Sequence, residues 1–135
     1  MLRIALAAAV IASVAPAQAA DRVTGRWLTH KGNAVVEIGS CGDNLCGRIA
    51  RIIAPPRDGT TTDARNPDPA LRGRPMLGLP ILTGFVAKGA QWHGRVYDPQ
   101  EGKSYRSTLD IRHGTLKVKG CVALFCKTLT WTRVR

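Results

Sequence analysis

Beyond its first twenty residues, the sequence contains no apolar run long enough to cross a bilayer and no stretch with a sustained helical period. A membrane-spanning helix needs about 20 consecutive apolar residues, and an amphipathic helix repeats its apolar residues roughly every three to four positions. These two absences argue against a helical membrane protein and against a helical bundle. The remaining candidates are domains built from extended strands.

The sequence also lacks the common catalytic and metal-binding motifs. It has no Ser, His and Asp in an order that includes a nucleophile elbow, and it has no glycine-rich phosphate loop. The three histidines, His30, His93 and His113, are isolated from one another in the sequence. We therefore predict no enzymatic activity, no cofactor and no bound metal. One enzymatic alternative stays open, in which Asp63 and Asp68 act as paired carboxylates in glycoside chemistry.

Residues 1–20 have the three parts of a secretory signal. Arg3 supplies the positive start, the stretch 4–14 is uncharged and mostly apolar, and small residues precede the end of the segment. An apolar run of about eleven residues is too short to span a bilayer. We predict cleavage near Ala19 or Ala20 and a periplasmic or secreted protein with no transmembrane segment.

The rest of the chain, 21–135, is predicted to be a single domain with a strongly basic composition. The full sequence has 20 Lys and Arg residues against 9 Asp and Glu residues, a net charge of +11, and removal of the signal lowers this charge by one. Such a surface attracts anionic partners, which outside the cytoplasm include lipid head groups, lipopolysaccharide and acidic glycans. The basic residues are scattered, so we expect neither a dedicated anion site nor nucleic-acid binding.

Four cysteines form two pairs with the same spacing, Cys41 with Cys46 and Cys121 with Cys126. An even number of cysteines in an exported chain indicates disulfides, and four cysteines allow three pairings. Chain entropy favours bridges between the two pairs, at about 4.5 kcal/mol against about 2 kcal/mol for a short loop. The repeated spacing and the hairpin-like surroundings, with turn residues at 42–44, favour instead the local bridges Cys41–Cys46 and Cys121–Cys126.

The residues between the second pair of cysteines, from Val122 to Phe125, are all apolar. They could fold over one end of the domain as a lid, or they could form an exposed contact patch. We expect the lid. Redox catalysis is not expected at either pair, because thiol exchangers usually separate their cysteines by two residues rather than four.

Short extended segments separated by turn residues recur along the chain and predict an all-β domain. The short connections favour antiparallel neighbours. Eight strands with one apolar face close most naturally into a small antiparallel up-and-down β-barrel, with a sandwich as the alternative. The predicted strands are 24–30, 33–39, 46–53, 79–86, 92–98, 103–111, 115–120 and 127–134.

One connection, 54–75, is long and rich in Pro, Asp and Arg. Long irregular loops in compact domains are uncommon and are often functional. The pair Asn66-Pro67 predicts the start of a short helical turn that continues to Leu71, because asparagine caps helices and proline suits the first helical position.

The polar side chains of this connection are the candidate ligand-binding residues: Asp63, Asn66, Asp68, Arg72 and Arg74. Arginine can bind a carboxylate or phosphate through two parallel hydrogen bonds. In the alternative interpretation, the Asn and Asp residues cap the turn and the arginines pair with the aspartates, which fixes the connection to the barrel. Tyr97 and Tyr105 flank the next turn and are expected to pair across a hairpin as packing residues.

The first and last predicted strands carry Gly25-Arg26-Trp27 and Trp131-Thr132-Arg133. This pattern resembles the lipocalins and their relatives, in which a first-strand Gly-x-Trp and a last-strand Arg pack together at the closed end of the barrel. The resemblance implies that Trp27, Trp131 and Arg133 are structural residues rather than a site. A guanidinium over an indole contributes about 0.5–2 kcal/mol, depending on burial.

A wider set of motifs spans residues 24–134. They are Cys41-Gly-Asp-Asn-Leu-Cys46-Gly-Arg-Ile, Asn66-Pro-Asp-Pro-Ala-Leu-Arg-Gly-Arg-Pro-Met-Leu-Gly78, Tyr97-Asp-Pro-Gln-Glu-Gly-Lys-Ser-Tyr105 and Thr130-Trp-Thr-Arg133. Together they resemble the exported bacterial family known as domain of unknown function 2147. The resemblance implies a lipocalin-like or calycin-like barrel in the periplasm, and it implies no established reaction, cofactor or ligand.

Our first hypothesis is a non-enzymatic periplasmic binding module that holds a small apolar or amphipathic ligand at the mouth of the barrel, gated by the connection 54–75. A barrel this small could instead be filled by its own side chains. The alternative function is an envelope interaction protein whose basic exterior contacts lipopolysaccharide, peptidoglycan or a protein partner. The sequence leaves the ligand and the oligomeric state open.

Overall fold

The computed structural model describes residues 7–11 and 22–135. The predicted signal over 1–20 and its cleavage site therefore lie largely outside the described residues. Within the described ranges, no helix has the length and apolar character needed to cross a membrane. The strands are β1 (Gly25–Leu28), β2 (Ala34–Cys41), β3 (Asn44–Ile52), β4 (Pro80–Lys88), β5 (Gln91–Asp98), β6 (Lys103–Arg112), β7 (Thr115–Val122) and β8 (Phe125–Arg133).

Each strand pairs antiparallel with its neighbours in the sequence, and β1 pairs with β8, so the sheet closes into an eight-stranded barrel. This confirms the predicted up-and-down barrel and excludes the sandwich. Two hairpins extend further than predicted, because β2 and β3 continue to a tight turn at residues 42–43, and β7 and β8 continue to one at residues 123–124. All four cysteines therefore lie within strands.

Alternating strand direction divides the connections between two ends of the barrel. The β1–β2, β3–β4, β5–β6 and β7–β8 connections lie at one end, which we call the open end. The other end, which we call the closed end, contains the remaining connections, the start of β1 and the end of β8. The bridge Cys41–Cys46 joins a hairpin at the closed end, and Cys121–Cys126 joins one at the open end, with Cα atoms 5.8 and 4.1 Å apart. The predicted local pairing is confirmed.

Apolar side chains fill the barrel interior towards the closed end, and two glycines make this dense packing possible. A Cβ atom at Gly47 would lie 2.8 Å from Leu82, and one at Gly94 would lie 2.7 Å from the Phe85 ring. Because these positions have no side chain, Leu82 and Phe85 of β4 lie directly against β3 and β5 and are completely buried. The Leu82 and Phe85 side chains therefore fill the interior next to β3 and β5, as expected for a close-packed protein interior.

The barrel closes along a short seam between β1 and β8, where Trp27 is the cross-strand partner of Arg133. The Trp27 side chain is fully buried, and its Nε1 donates to the carbonyl oxygen of Val23 at 2.8 Å. The Arg133 guanidinium lies over the indole, with Cζ 4.2 Å from the ring centroid. It also donates to the carbonyl oxygens of Thr24 at 3.0 Å and Arg22 at 2.6 Å. One side chain thus joins the last strand to the segment that leads into the first.

Gly25 allows this close approach at the seam. Its φ angle is 125°, which disfavours residues with a side chain, and a Cβ atom there would lie 2.7 Å from Arg133 Nη1. The glycine of the Gly25-Arg26-Trp27 motif is therefore needed to make room for the guanidinium.

We expect Arg133→Lys to destabilise the barrel by about 1–2 kcal/mol, because an ammonium group cannot both stack on the indole and reproduce the two carbonyl contacts. The measurement is the midpoint of urea unfolding, followed by tryptophan fluorescence. Arg48→Lys is the control, since Arg48 is exposed on β3 and its replacement should change stability by less than about 0.5 kcal/mol. Equal stability of the two variants would contradict the role of the seam.

Candidate functional site

The open end of the barrel contains a cavity of about 560 Å³. Its volume lies within the range of about 300–1,000 Å³ that is typical of small-molecule sites. The interior is therefore not completely filled by the protein's own side chains. Mostly apolar side chains form the wall, including Val36, Ile49, Val96, Val118, Leu129 and Trp131.

A row of three small residues, Gly94, Ser107 and Gly120, crosses β5, β6 and β7 next to this cavity. The space above Gly94 is occupied by Phe85, whereas a Cβ atom at Gly120 would have no neighbour closer than 3.7 Å. Gly120 also lines the cavity. The cavity thus extends along β7 because the glycine there leaves room that no other side chain fills.

The Trp131 indole forms the floor of the cavity. Only 4% of this residue is exposed, and it belongs both to the cavity wall and to the apolar core. Its Nε1 is buried and has no hydrogen-bond partner among the described residues. Because this nitrogen is occluded, the ring offers an apolar surface to the cavity rather than an accessible donor.

Charged groups surround the mouth of the cavity. The β1–β2 turn contributes His30 and Lys31, and β8 contributes Lys127. Asp98 lies at the end of β5, and Glu101 lies in the β5–β6 connection. Burial lowers the pKa of His30, and the positive charges of Lys31 and Lys127 lower it further, while Asp98 acts in the opposite direction. The rim therefore has a basic side and an acidic side around an apolar interior.

Tyr105 lines the cavity, and its hydroxyl donates to the Glu101 carboxylate, which raises the pKa of Tyr105. The predicted pairing of Tyr105 with Tyr97 is wrong. In the observed register Tyr97 is opposite Ser104, and Tyr105 is opposite Val96. This offset of one residue directs the two rings to opposite faces of the sheet, because side chains alternate along a strand.

A buried carboxylate organises the long connection between β3 and β4. The Asp63 side chain is completely buried. Its Oδ1 accepts a hydrogen bond from the Tyr97 hydroxyl at 2.5 Å, and its Oδ2 accepts from Asn66 Nδ2 at 2.8 Å and from Arg74 Nη2 at 3.1 Å. The pKa of Tyr97 is raised to about 12, and burial is the largest cause, with the hydrogen bond to Asp63 the next largest. The network fastens the connection to β5.

The helical turn in this connection is a 3-10 turn over Pro69–Leu71. Asp68 is its N-cap, with Oδ1 accepting from the Ala70 backbone N–H at 3.0 Å. The predicted start at Asn66-Pro67 is wrong by two residues. The Asn66 side chain is used differently, since its Oδ1 accepts from the Asp68 backbone N–H at 2.8 Å while its Nδ2 donates to Asp63.

The structure thus brings the five candidate ligand-binding residues into contacts within the connection itself. Arg72 Nε donates to the Asn66 carbonyl oxygen at 2.8 Å, and Arg74 forms an ion pair with Asp63. None of the residues described as lining the cavity is among these five. Their role in ligand binding stays a prediction, and the contacts that we observe are those of a loop fixed to the barrel.

Only the edges of the connection reach the cavity. Ala54, Pro56 and Met76 line it, whereas the middle is held by Asp63 and lies against the β5–β6 turn. There Gly102, with a φ of 69°, contacts the Arg65 carbonyl so closely that a side chain would not fit. The connection therefore packs against one side of the rim, at the β5–β6 turn.

Several residues of the rim and wall were not predicted from the sequence, namely His30, Lys31, Gly120, Lys127 and Leu129. The predicted strand order does indicate which connections share an end, because every second connection of an up-and-down barrel lies at the same end. In such a barrel, residues beside the β1–β2 turn lie at the same end as residues beside the β7–β8 turn. Within the part of the chain that the structure describes, no group of three His, Cys, Asp or Glu side chains could hold a metal ion.

The turn between β7 and β8, Val122 to Phe125, is hereafter called the apolar tip. The lid predicted for these residues is wrong, since Val122, Leu124 and Phe125 are 57%, 95% and 84% exposed. The ladder of β7 and β8 continues to the pair Val122 and Phe125. The hairpin therefore projects from the open end instead of folding over it, and these side chains form an exposed patch beside the mouth.

A closed eight-stranded antiparallel barrel, with a stacked Trp and Arg at one end and an apolar cavity at the other, defines a protein of the lipocalin-like fold class. A solved structure supports this class: it is described as "Protein HP1028 from the human pathogen Helicobacter pylori belongs to the lipocalin family". It is 21% identical, covers 84% of this chain and 83% of its own, and has a TM-score of 0.71. At this identity the likeness shows the fold alone.

Residues 25–133 match a family described as "Uncharacterized protein conserved in bacteria (DUF2147)". Since the match covers most of the chain, the protein belongs to this bacterial family. No curated protein matches it. The family assignment agrees with the resemblance seen in the sequence motifs.

We expect Asp63→Ala to destabilise the protein by roughly 3–5 kcal/mol, because it removes the buried partner of an arginine, an amide and a phenol. The measurement is the urea unfolding midpoint at neutral pH. Asp58→Ala is the matched control, because Asp58 pairs with Arg65 in the same connection but both side chains are about half exposed, at 43% and 50%. Its effect should be much smaller, because solvent screens an exposed ion pair. Similar effects of the two substitutions would contradict the assigned role of Asp63.

Tyr97 provides a test that depends on pH. In a Tyr105→Phe variant it is the only remaining tyrosine, and phenolate absorbance should give a midpoint near pH 12 rather than the ordinary 10.0. Because the folded state favours the protonated phenol, the stabilisation is complete below pH 10 and is lost as pH rises towards 12. Adding Asp63→Asn should lower this midpoint. An unchanged midpoint in that double variant would show that Asp63 does not act on the phenol.

Proposed function

We propose that this protein is a non-enzymatic binding module that holds a small amphipathic or apolar ligand in the cavity at the open end of its barrel. The observation that carries this proposal is the cavity itself, because it is large enough for such a molecule and has an apolar wall with a charged rim. Ligand sites combine mostly apolar walls with a few polar groups that orient the ligand.

The apolar interior and the charged rim of the cavity indicate how a ligand would lie. An apolar portion would contact Trp131, Leu129 and Val118 at depth, and a polar portion would remain at the rim near Lys31 and Lys127. Basic groups at the mouth favour a negatively charged or strongly polar end group. An amphipathic molecule of this kind would satisfy both regions.

The contacts of the long connection support binding over catalysis. A carboxylate that acts in glycoside chemistry must be positioned to reach a substrate. Asp63 is completely buried and engaged with Tyr97, Asn66 and Arg74, and Asp68 caps a 3-10 turn. These two groups are therefore better explained as structural residues than as a catalytic pair.

We further propose that the protein works in the periplasm after removal of residues 1–20. The bacterial family and the two disulfides indicate a protein outside the cytoplasm, because disulfides persist in oxidising compartments such as the periplasm. The signal-like composition of the first twenty residues supports the same compartment.

A second candidate function is contact with an anionic component of the cell envelope. The observation that favours it is a pair of like charges, since Arg95 of β5 and Arg106 of β6 are exposed cross-strand partners. Like charges directly opposite one another destabilise a sheet, and an anionic partner would relieve that repulsion. The net charge, which is +11 for the full sequence and one lower without residues 1–20, adds a general attraction to such surfaces.

Ligand binding can be tested by filling the cavity from Gly120. Gly120→Phe should weaken the binding of an anilinonaphthalene sulfonate dye at least about tenfold, because the ring would occupy the space that the glycine leaves empty. Dye fluorescence during titration gives the Kd. Thr128→Phe is the matched control, since it adds the same ring at an exposed position on β8 and should leave Kd unchanged.

Native mass spectrometry of the protein purified from its host adds an independent measurement. A small molecule that co-purifies with the wild-type protein and with Thr128→Phe, but not with Gly120→Phe, would identify the natural ligand class. Equal dye affinity for all three proteins, together with a mass free of ligand in repeated preparations, would refute the proposal.

A further inference from the structure

The apolar tip has a chemistry that is unusual for an exposed turn. Turns in water usually contain Gly, Pro, Asn, Asp or Ser, and the other tight turns of this barrel have Gly42-Asp43, Gly89 and His113-Gly114. The β7–β8 turn has only Val122, Ala123, Leu124 and Phe125. Ala123 even adopts a φ of 51°, a conformation that favours glycine or asparagine. Neither solubility nor backbone preference explains this choice of residues.

The tip is held rigidly although its side chains are exposed. The disulfide Cys121–Cys126 joins the two strands directly below it. Arg106 Nη2 donates to the Ala123 carbonyl oxygen at 2.8 Å, which ties the turn to β6. A preorganised surface loses little conformational entropy when it meets a partner. The tip is thus built to present Leu124 and Phe125 in a fixed position.

Basic residues surround the base of the tip. One register row on the outside of the barrel runs from Arg95 through Arg106 to the cystine. Lys119 is exposed on β7, and Lys127 follows the cystine on β8. Within the part of the chain that the structure describes, no ion pair joins any of these four basic side chains to an acid. Apolar side chains above a ring of unpaired cations match the layered chemistry of an anionic lipid surface.

We propose that the apolar tip inserts into an anionic lipid surface while the surrounding basic side chains contact the lipid head groups. The inference deepens the second candidate function, contact with the envelope, on which it rests, and it is independent of ligand binding. It names the contacting surface, the tip with Arg95, Arg106, Lys119 and Lys127, and it names the partner, a bilayer leaflet that contains anionic phospholipid.

A second copy of the chain fits this surface less well. A stable protein interface buries at least about 1,000 Å², and three side chains at one turn provide only a small part of that area. A symmetric contact between two tips would also bring the two rings of basic residues together, because a two-fold interface uses the same patch twice. A lipid surface does not require a large protein interface, and it does not bring two basic patches together.

Docking in this way would orient the cavity. Val122 and Phe125 of the tip also line the mouth of the cavity. Insertion of the tip therefore turns the open end towards the membrane and leaves the Trp27–Arg133 seam on the far side. A ligand that enters or leaves the barrel would do so at the lipid surface.

The test is co-sedimentation of the purified, disulfide-bonded protein with vesicles. One set of vesicles contains phosphatidylglycerol mixed with phosphatidylcholine, and the other contains phosphatidylcholine alone. We expect binding to the anionic set, weakened by salt because the charge contacts are screened. The double variant Leu124→Ser and Phe125→Ser should partition at least about tenfold less, because most of the inserted apolar area is lost. Val86→Ser is the control, since Val86 is an exposed apolar residue (38%) near the closed end of β4.

Insertion itself can be followed with Phe125→Trp. Its emission should shift to the blue and be quenched by brominated lipids in anionic vesicles, whereas a Val86→Trp variant, near the closed end of β4, should show neither change. If the double serine variant binds anionic vesicles as well as the wild type does, the tip inference is overturned while contact through the basic exterior stands. If the wild type binds no anionic vesicles, the tip inference is overturned, and anionic phospholipid is excluded as the partner in the second candidate function. A wild-type dimer that the serine substitutions abolish would identify a second copy as the partner and would also overturn the inference.

Discussion

Closure of the barrel depends on the contact between Trp27 and Arg133. The first strand is short, and it meets β8 at the Trp27–Arg133 pair and at the adjacent Leu28–Thr132 pair. A seam of this length has little backbone pairing of its own, so the buried indole and the guanidinium above it supply the missing stabilisation. Without closure the sheet would have two free edges, and the enclosed space at its other end would open to water.

Two regions with different packing share this closed sheet. Towards the closed end, Leu82 and Phe85 lie across glycines and leave no room, whereas Gly120 and Leu129 at the open end border empty space. The long β3–β4 connection supports the rim from one side because Asp63 holds it against β5. The core and the cavity share wall residues such as Val118 and Trp131, and the open end stays hollow because no side chain fills the space beside Gly120.

The strand pattern, the turn residues and the cysteine spacing were sufficient to predict the barrel and both disulfides, because these features are local and repeat along the chain. The site was harder to predict. Asp63 and Arg74 attracted attention as polar residues in a long loop, but their charges compensate one another in the interior. The cavity depends on small or inward-facing residues such as Gly120, whose importance becomes visible only when strands are arranged around an axis. The exposure of Leu124 likewise depends on the direction in which a hairpin leaves the barrel.

The cystine below the β7–β8 turn has a consequence for proteolysis. Leu124 is the most exposed large apolar residue of the described barrel, and such turns are preferred sites of cleavage. A protease that cut the backbone between Cys121 and Cys126 would leave two fragments still covalently joined and still paired along β7 and β8. The nicked chain would keep its fold.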